Sequence, residues 1–116
     1  MSQQTDNAFK TFTAGEALGA FTRVKLSSGT IVYADSEEAA IGVTQAAIAN
    51  GAEGAVKLIA GGVGTYKVKA AGAITANASV YAADDGEIDG AGTTVMGTAL
   101  EAATADGDII ECMLTS

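Results

Sequence analysis

Apolar positions in this chain recur at every second residue rather than every third or fourth. That period belongs to extended strands, not to helices. In "GAFTRVKL", Gly19 to Leu26, the residues Thr22, Val24 and Leu26 fall on one face, and Phe21, Arg23 and Lys25 on the other. "SSG" interrupts the alternation and "TIVYA" resumes it, which predicts a β-hairpin. "TYKVKAAG" repeats the pattern, with Tyr66 and Val68 on one side and Lys67 and Lys69 on the other, and the faces around Phe21 and Tyr66 are expected to be exposed and to serve subunit contact. "ASVYAA", "TTVMGTAL" and "GDIIECML" supply further strands, the first of them followed by the acidic turn "DDGEIDGAG". "DSEEAA", Asp35 to Ala40, suits a loop or one helical turn, with acids near its start where a helix dipole favours them. Short strands at intervals of about ten residues predict an all-β fold. The expected form is a small β-barrel or β-sandwich of about nine or ten strands rather than a βαβ unit.

A second regularity lies above the first. "AGEALGAFTRVKL" from Ala14 aligns with "AAGAITANASVYA" from Ala70, matching Leu18 to Ile74 and Val24 to Val80. Ile41-Gly42 aligns with Met96-Gly97, and Asn50-Gly51 with Asp106-Gly107. The offset stays at 55 to 56 residues, which predicts two quasi-repeated halves sharing one core. The Asn-Gly and Asp-Gly steps favour tight hairpins, because both residue types tolerate positive φ.

Composition narrows the picture. With 116 residues the chain is sized for one domain. Of its apolar residues 25 are Ala, and Trp is absent, so the core is expected to be thin and to lean on partner subunits. Fifteen Gly fit tight turns and disfavour long helices. The formal charge of −8 is unevenly spread. Residues 1–69 hold six bases and six acids, whereas residues 70–116 hold eight acids and no base. Such a surface repels phosphate backbones, which argues against a nucleic-acid partner. The longest uncharged runs fall short of a membrane span, and the first residues lack the layout of a signal peptide, so no membrane association is expected.

Candidate chemistry is sparse. The sequence contains no His, so His-dependent nucleophilic or metal constellations are excluded. Cys112, the lone cysteine, sits in an apolar strand pattern and is expected to be a buried small hydrophobe. Asp85, Glu87, Asp89 and Gly90 match the opening of a calcium loop, but the twelfth position is Met96 where a bidentate Glu is required. A solvated turn without metal is therefore expected. "GGVGTY" has neither a dinucleotide fingerprint nor a following GK[ST] step. Paired carboxylates fall in turn-like segments with no sign of the burial that tunes a catalytic acid. Asn77-Ala78-Ser79 forms a glycosylation sequon, which has meaning only on a secretory route. A swinging-arm carrier needs a Lys at a hairpin tip, and Lys57 falls inside a strand pattern. No enzymatic activity and no cofactor are expected.

Residues 1–8 are polar and aperiodic, and Phe9 and Phe12 follow in "AFKTFTA". The predicted layout is an N-terminal arm, residues 1–12, ahead of a single β-domain, residues 13–116. Two readings of the aromatics stand side by side. They form a first strand that fills the domain's own core, or they anchor on another chain with Lys10 as a rim contact.

The chain resembles the small head-decoration, or capsid cement, proteins of tailed bacteriophages. The likeness rests on "AGEALGAFTRVKLSSGTIVYAD", "AIGVTQAAIANGAEGAVKLIAGG", "ASVYAADDGEI" and "VMGTALEAATADGDIIECML", so it spans residues 14–116. It implies an all-β, non-catalytic protein of the virion, made in the host cytoplasm. It also implies that the protein assembles as an oligomer, often a homotrimer, on the outer face of the major capsid protein lattice and reinforces it. Phe9, Lys10 and Phe12 are then the expected capsid contacts. The alternatives are another virion structural module, such as a tail or fibre component, and a small ligand-binding or carrier β-barrel.

Overall fold

The computed structural model describes residues 9–59 and 64–115. The first half contains five strands: β1 Phe9–Thr13, β2 Arg23–Ser27, β3 Thr30–Tyr33, β4 Gly42–Thr44 and β5 Glu53–Leu58. The second contains β6 Tyr66–Lys69, β7 Ser79–Ala82, β8 Ile88–Asp89, β9 Val95–Ala99 and β10 Ile109–Leu114, with a short 3-10 turn at Asp84–Gly86. Each half forms one five-stranded antiparallel sheet, in the orders β1-β5-β4-β2-β3 and β6-β10-β9-β7-β8. The two orders are the same, strand for strand, and the fold is all-β as the alternation predicts. Asp35 to Ala40 is a loop closed by the Glu38 amide donating to the Asp35 carbonyl.

The repeat persists at the level of single hydrogen bonds. Leu18 and Ile48 exchange amide–carbonyl bonds of 2.8 and 2.9 Å, and Ile74 and Ala103 exchange two of 2.9 Å. The Gly51 amide donates to Ala14 and the Gly107 amide to Ala70, at 2.9 and 2.8 Å. The Asn-Gly and Asp-Gly steps are therefore turns, but not two-residue hairpins. Each lies in a longer excursion, with only the glycine at positive φ, 82° at Gly51 and 94° at Gly107. Gly42 and Gly97 answer to a different demand. A Cβ on either would run into the backbone carbonyl of the facing strand, Lys57 for one and Met113 for the other. Close strand approach is what requires a glycine after Ile41 and after Met96.

The halves do not share a single core. Ala14, Leu18, Val24, Ile31, Ile48 and Val56 form one cluster inside the first half. A second cluster gathers Tyr66, Val68, Val80, Ile88, Met96, Ile110 and Cys112, and takes Val43 and Ile59 from the first half. Val43, Lys57 and Ile59 lie on the outer face of the first sheet, the side away from its own cluster. That outer face is where the second half is seated.

Arg23 fastens the joint. It lies beside Val43 on that outer face and is fully buried. Its guanidinium donates to the carbonyls of Ala34, Asp35 and Glu38 in the first half. It also donates to those of Ala83 and Glu87 in the second, at 3.2 and 3.3 Å. Burial lowers its pKa to about 10, against the opposing pull of Asp35 and Glu38, so it remains a cation at neutral pH. A planar fork with several donors can satisfy carbonyls from two directions at once, which a lysine cannot. The Lys69 amide donating to Phe21 and the Gly86 amide donating to Ala34 add to the seam. Phe21 holds φ 58° to present that carbonyl, a strained value for a bulky residue. Its counterpart Asn77, at φ 69°, is of a type that tolerates it.

Several expectations need correction. Arg23 is interior rather than solvent-facing, because the second half covers its side of the sheet. Tyr66 is buried with its hydroxyl donating to the Leu58 carbonyl at 2.6 Å, so it is not part of an exposed apolar face. Leu26, although in phase with the core, lies at the β2–β3 tip beyond the cluster and is exposed. Residues 9–13, of which 9–12 were expected in the arm, form β1 and pair with β5 from Phe9↔Lys57 to Thr13↔Glu53. The remainder of the expected arm, residues 1–8, lies outside the described residues.

Candidate functional site

β1 carries all three residues singled out as contacts, and strand alternation decides how they are shared out. Phe12 points inward and packs, half-buried, against the first cluster. Lys10 shares that side, its Nζ 5.8 Å from the centroid of the Phe12 ring. Phe9 is on the opposite face and 47% exposed. Lys10 and Phe12 are thus brought together, while Phe9 stands apart on the outer face. β1 is also the edge strand of its sheet, bonded to β5 on one side. An edge strand offers main-chain donors and acceptors in addition to side chains.

The acidic segment does structural work. The Asp84 carboxylate accepts from the Ser36 amide at 3.1 Å, and the Asp35 carboxylate accepts from the Asp85 amide at 3.0 Å. These reciprocal bonds tie the loop after β3 to the 3-10 turn of the second half. Among the described residues, no three of His, Cys, Asp and Glu gather closely enough to hold a metal ion. Lys69 and Glu87 pair at 3.4 Å, and burial nevertheless pushes the Glu87 carboxyl up. Asp108 accepts from the amides of Thr104 and Ala105 and from the Thr104 hydroxyl, which holds its carboxyl below the usual range.

The remaining reactive groups are absorbed by packing. Burial pushes the Cys112 thiol up to about 12, with Glu111 adding to the effect, so it is inert as a nucleophile at neutral pH. Lys57 is not at a hairpin tip. It donates to the Thr65 carbonyl and stands over the Tyr66 ring, 4.5 Å from its centroid. Residues 61–63 of the glycine-rich run lie outside the described residues. Among the described residues, no helix is long and apolar enough to cross a membrane.

Sequence reasoning missed the exposed apolar face of the second sheet. Among the described residues six large apolar side chains are exposed: Phe9, Leu26, Val95, Leu100, Ile109 and Met113. Four of these line one surface. Ile109 and Met113 alternate outward along β10, Val95 faces Tyr81 across the β7–β9 pair, and Leu100 follows β9 opposite Glu111. The available signal was the alternation in "GDIIECML", whose second face also carries two apolar residues, Ile109 and Met113, around Glu111.

Comparisons with known proteins agree with the architecture. The phage cement protein family matches residues 4–114. Among solved structures the chain is similar to the N base of the head fiber gp8.5 of bacteriophage phi29. The identity is 20%, the TM-score is 0.78, and the match covers 91% of this chain and 92% of that one. No match is found among curated proteins. With a duplicated all-β fold and a family match along almost its whole length, the chain belongs to the phage cement proteins, structural proteins of the phage head.

Proposed function

We infer that the protein is a non-catalytic decoration protein that binds the outer face of a tailed-phage head and reinforces the lattice of its major capsid protein. The family match over residues 4–114 is the observation that carries this reading. The geometry supports it in three ways. The titratable side chains that depart most from their ordinary values, Arg23 and Cys112, are locked in packing rather than lining a reactive centre. The second half carries six of the eight excess negative charges, which favours a site away from packaged nucleic acid. The edge of β1 and the exposed Phe9 ring offer a strand-addition grip to a capsid subunit, with Lys10 at its rim. Self-association, most simply as a homotrimer, multiplies such grips through effective concentration.

The test is rebinding to heads stripped of the protein. Wild-type protein is expected to bind at saturable copy number and to raise the temperature at which the heads rupture. Phe9→Ala should weaken attachment without unfolding the free protein, because Phe9 is outside both clusters. Phe12→Ala should destabilise the free protein itself. Heads that neither bind the protein nor gain stability from it would overturn the reading. A second reading, favoured by the likeness to a head fiber base, is a platform on which a fibre stands. Electron micrographs of decorated heads separate the two: a thin coat supports the first, a projecting fibre the second.

A further inference from the structure

The seam between the halves joins two different surfaces. The first half contributes the outer face of its sheet: Arg23, Val43 and Ile59, with the Phe21 and Ala34 carbonyls. The second half contributes its β6 edge and its β7–β8 tip: Tyr66, the Lys69 amide, Ala83, Gly86 and the Glu87 carbonyl. Since the halves share one fold, each also carries the surface that the other uses. At one end of the chain the outer face of the second sheet presents Ser79, Thr98 and Met113 where the first presents Arg23, Val43 and Lys57. At the other end, Lys10 and the β2–β3 tip with Leu26 stand where the seated half has Tyr66 and the buried Ala82. The joint is heterologous, and it leaves one half of a joint open at each end.

Those open ends hold five of the six exposed large apolar side chains among the described residues, Phe9 being the sixth. The uncovered sheet carries Val95, Leu100, Ile109 and Met113, and the uncovered tip carries Leu26, which at 54% is the most exposed of the set. Charge runs the same way. The half with the open sheet, from β6 on, holds eight acids against Lys67 and Lys69, a net −6, and the half with the open tip, at net −2, carries Lys10 and Lys25.

We propose that a second copy of this chain docks head to tail, its β2–β3 tip seated on the outer face of the β6–β10 sheet. The contact repeats between molecules the packing already made within one. It lacks the arginine bolt, since Ser79 replaces Arg23, and relies on apolar contact instead. A heterologous contact closes into a ring when the rotation between copies divides the circle evenly, and otherwise grows into a filament. This deepens the self-association part of the reading above and rests on that part alone.

The test uses two charge-inserting variants at exposed positions, Met113→Glu on the sheet and Leu26→Asp on the tip. Sedimentation velocity of the full chain is followed across micromolar concentrations, with circular dichroism as the check on folding. Wild-type protein should sediment as an oligomer. Each variant alone should be a folded monomer, its association weakened by roughly thirtyfold or more. Mixing the two should restore one joint per pair, since each retains the surface the other has lost, and give a one-to-one dimer that grows no further. An oligomer that survives Leu26→Asp, a mixture that stays monomeric, or a monomeric wild-type protein overturns the proposal. So does a Met113→Glu variant that stays oligomeric but no longer binds stripped heads, which would make the capsid the occupant of this face. Wild-type protein that is monomeric yet binds heads would overturn the docking mode and leave the cement reading standing.

Discussion

At equivalent places in two sheets of the same strand order, the first half carries Arg23 and the second carries Ser79. Around them the halves keep the same strand order, the same turn glycines and the same exchanged hydrogen bonds. They diverge where they meet. On the first sheet the outer face is dressed for burial, with a guanidinium forked over carbonyls from both halves and with Val43 and Ile59 given to the neighbouring cluster. On the second, the same face keeps exposed Ile109 and Met113 and has no buried cation. Conserved backbone bonds define the unit, then, and a few side chains on one face define its place in the molecule.

The sharpest way to break this comparison is to remove the bolt. Arg23→Ala should destabilise the protein by roughly 3–5 kcal/mol in urea unfolding, because carbonyls from both halves lose their shared buried donor. Ser79→Ala at the matching position should stay within about 0.5 kcal/mol. Arg23→Lys should rescue little, since an ammonium cannot span both sets of carbonyls. Comparable costs at the two positions would end the claim that the halves are fastened through one of them.

A smaller and symmetric effect is expected where the halves agree. Gly42→Ala and Gly97→Ala should each cost about 1–3 kcal/mol, because the added methyl group meets a facing carbonyl in both sheets. A large cost at one and none at the other would show that the two strand crossings are not equivalent.

The smallest effect is one of pH and belongs to the second half. Asp108 sits in the turn where the first half has Ala52, and its amide partners hold its folded pKa below the unfolded value. Its contribution is therefore present above the ordinary carboxylate range and is lost as pH falls through the lowered value. Asp108→Asn should lower stability at pH 7, where the charged cap contributes, change little below the lowered value, and so flatten the acid limb of the profile. Glu87 works in the opposite sense. Burial raises its folded pKa, so its charged form costs stability as pH rises through the interval above the unfolded value. A profile unchanged by Asp108→Asn would show that the capped turn does not respond to acid.

Legibility in the sequence followed the physics of each element. The strands of β2, β3, β6 and β10 were readable because alternation survives when one face is buried. The duplication was readable through Gly42, Gly97, Gly51 and Gly107, positions that steric demands hold in both halves. β1 was legible both as the end of the arm and as a first strand, because Phe-Lys-Thr-Phe does not alternate cleanly. Arg23 and Lys25 look alike in the pattern, yet one is fully buried and the other is paired with Glu38 nearer the surface. Only the packing of one half on the other separates them, and that contact is made by residues some 60 positions apart. The same blindness made Tyr66 look exposed and Leu26 look buried, since strand phase says nothing of where a sheet ends or what covers it. The candidate contact strand was legible as a pair of aromatics after a polar segment, but the division between inward Phe12 and outward Phe9 needed the register with β5.

The separation of Arg23 from its partners also bears on synthesis. The chain leaves the ribosome from its N-terminus, and the Ala83 and Glu87 carbonyls emerge 60 and 64 residues after Arg23. During that interval the first sheet can fold around its own cluster, while its outer face is still open to water. A charged guanidinium at the centre of that face keeps it hydrated and makes it a poor landing place for a neighbouring nascent chain. The cation is buried only when the one surface with the right carbonyls arrives, from the same polypeptide. The bolt is thus completed only once both halves of the polypeptide have been made.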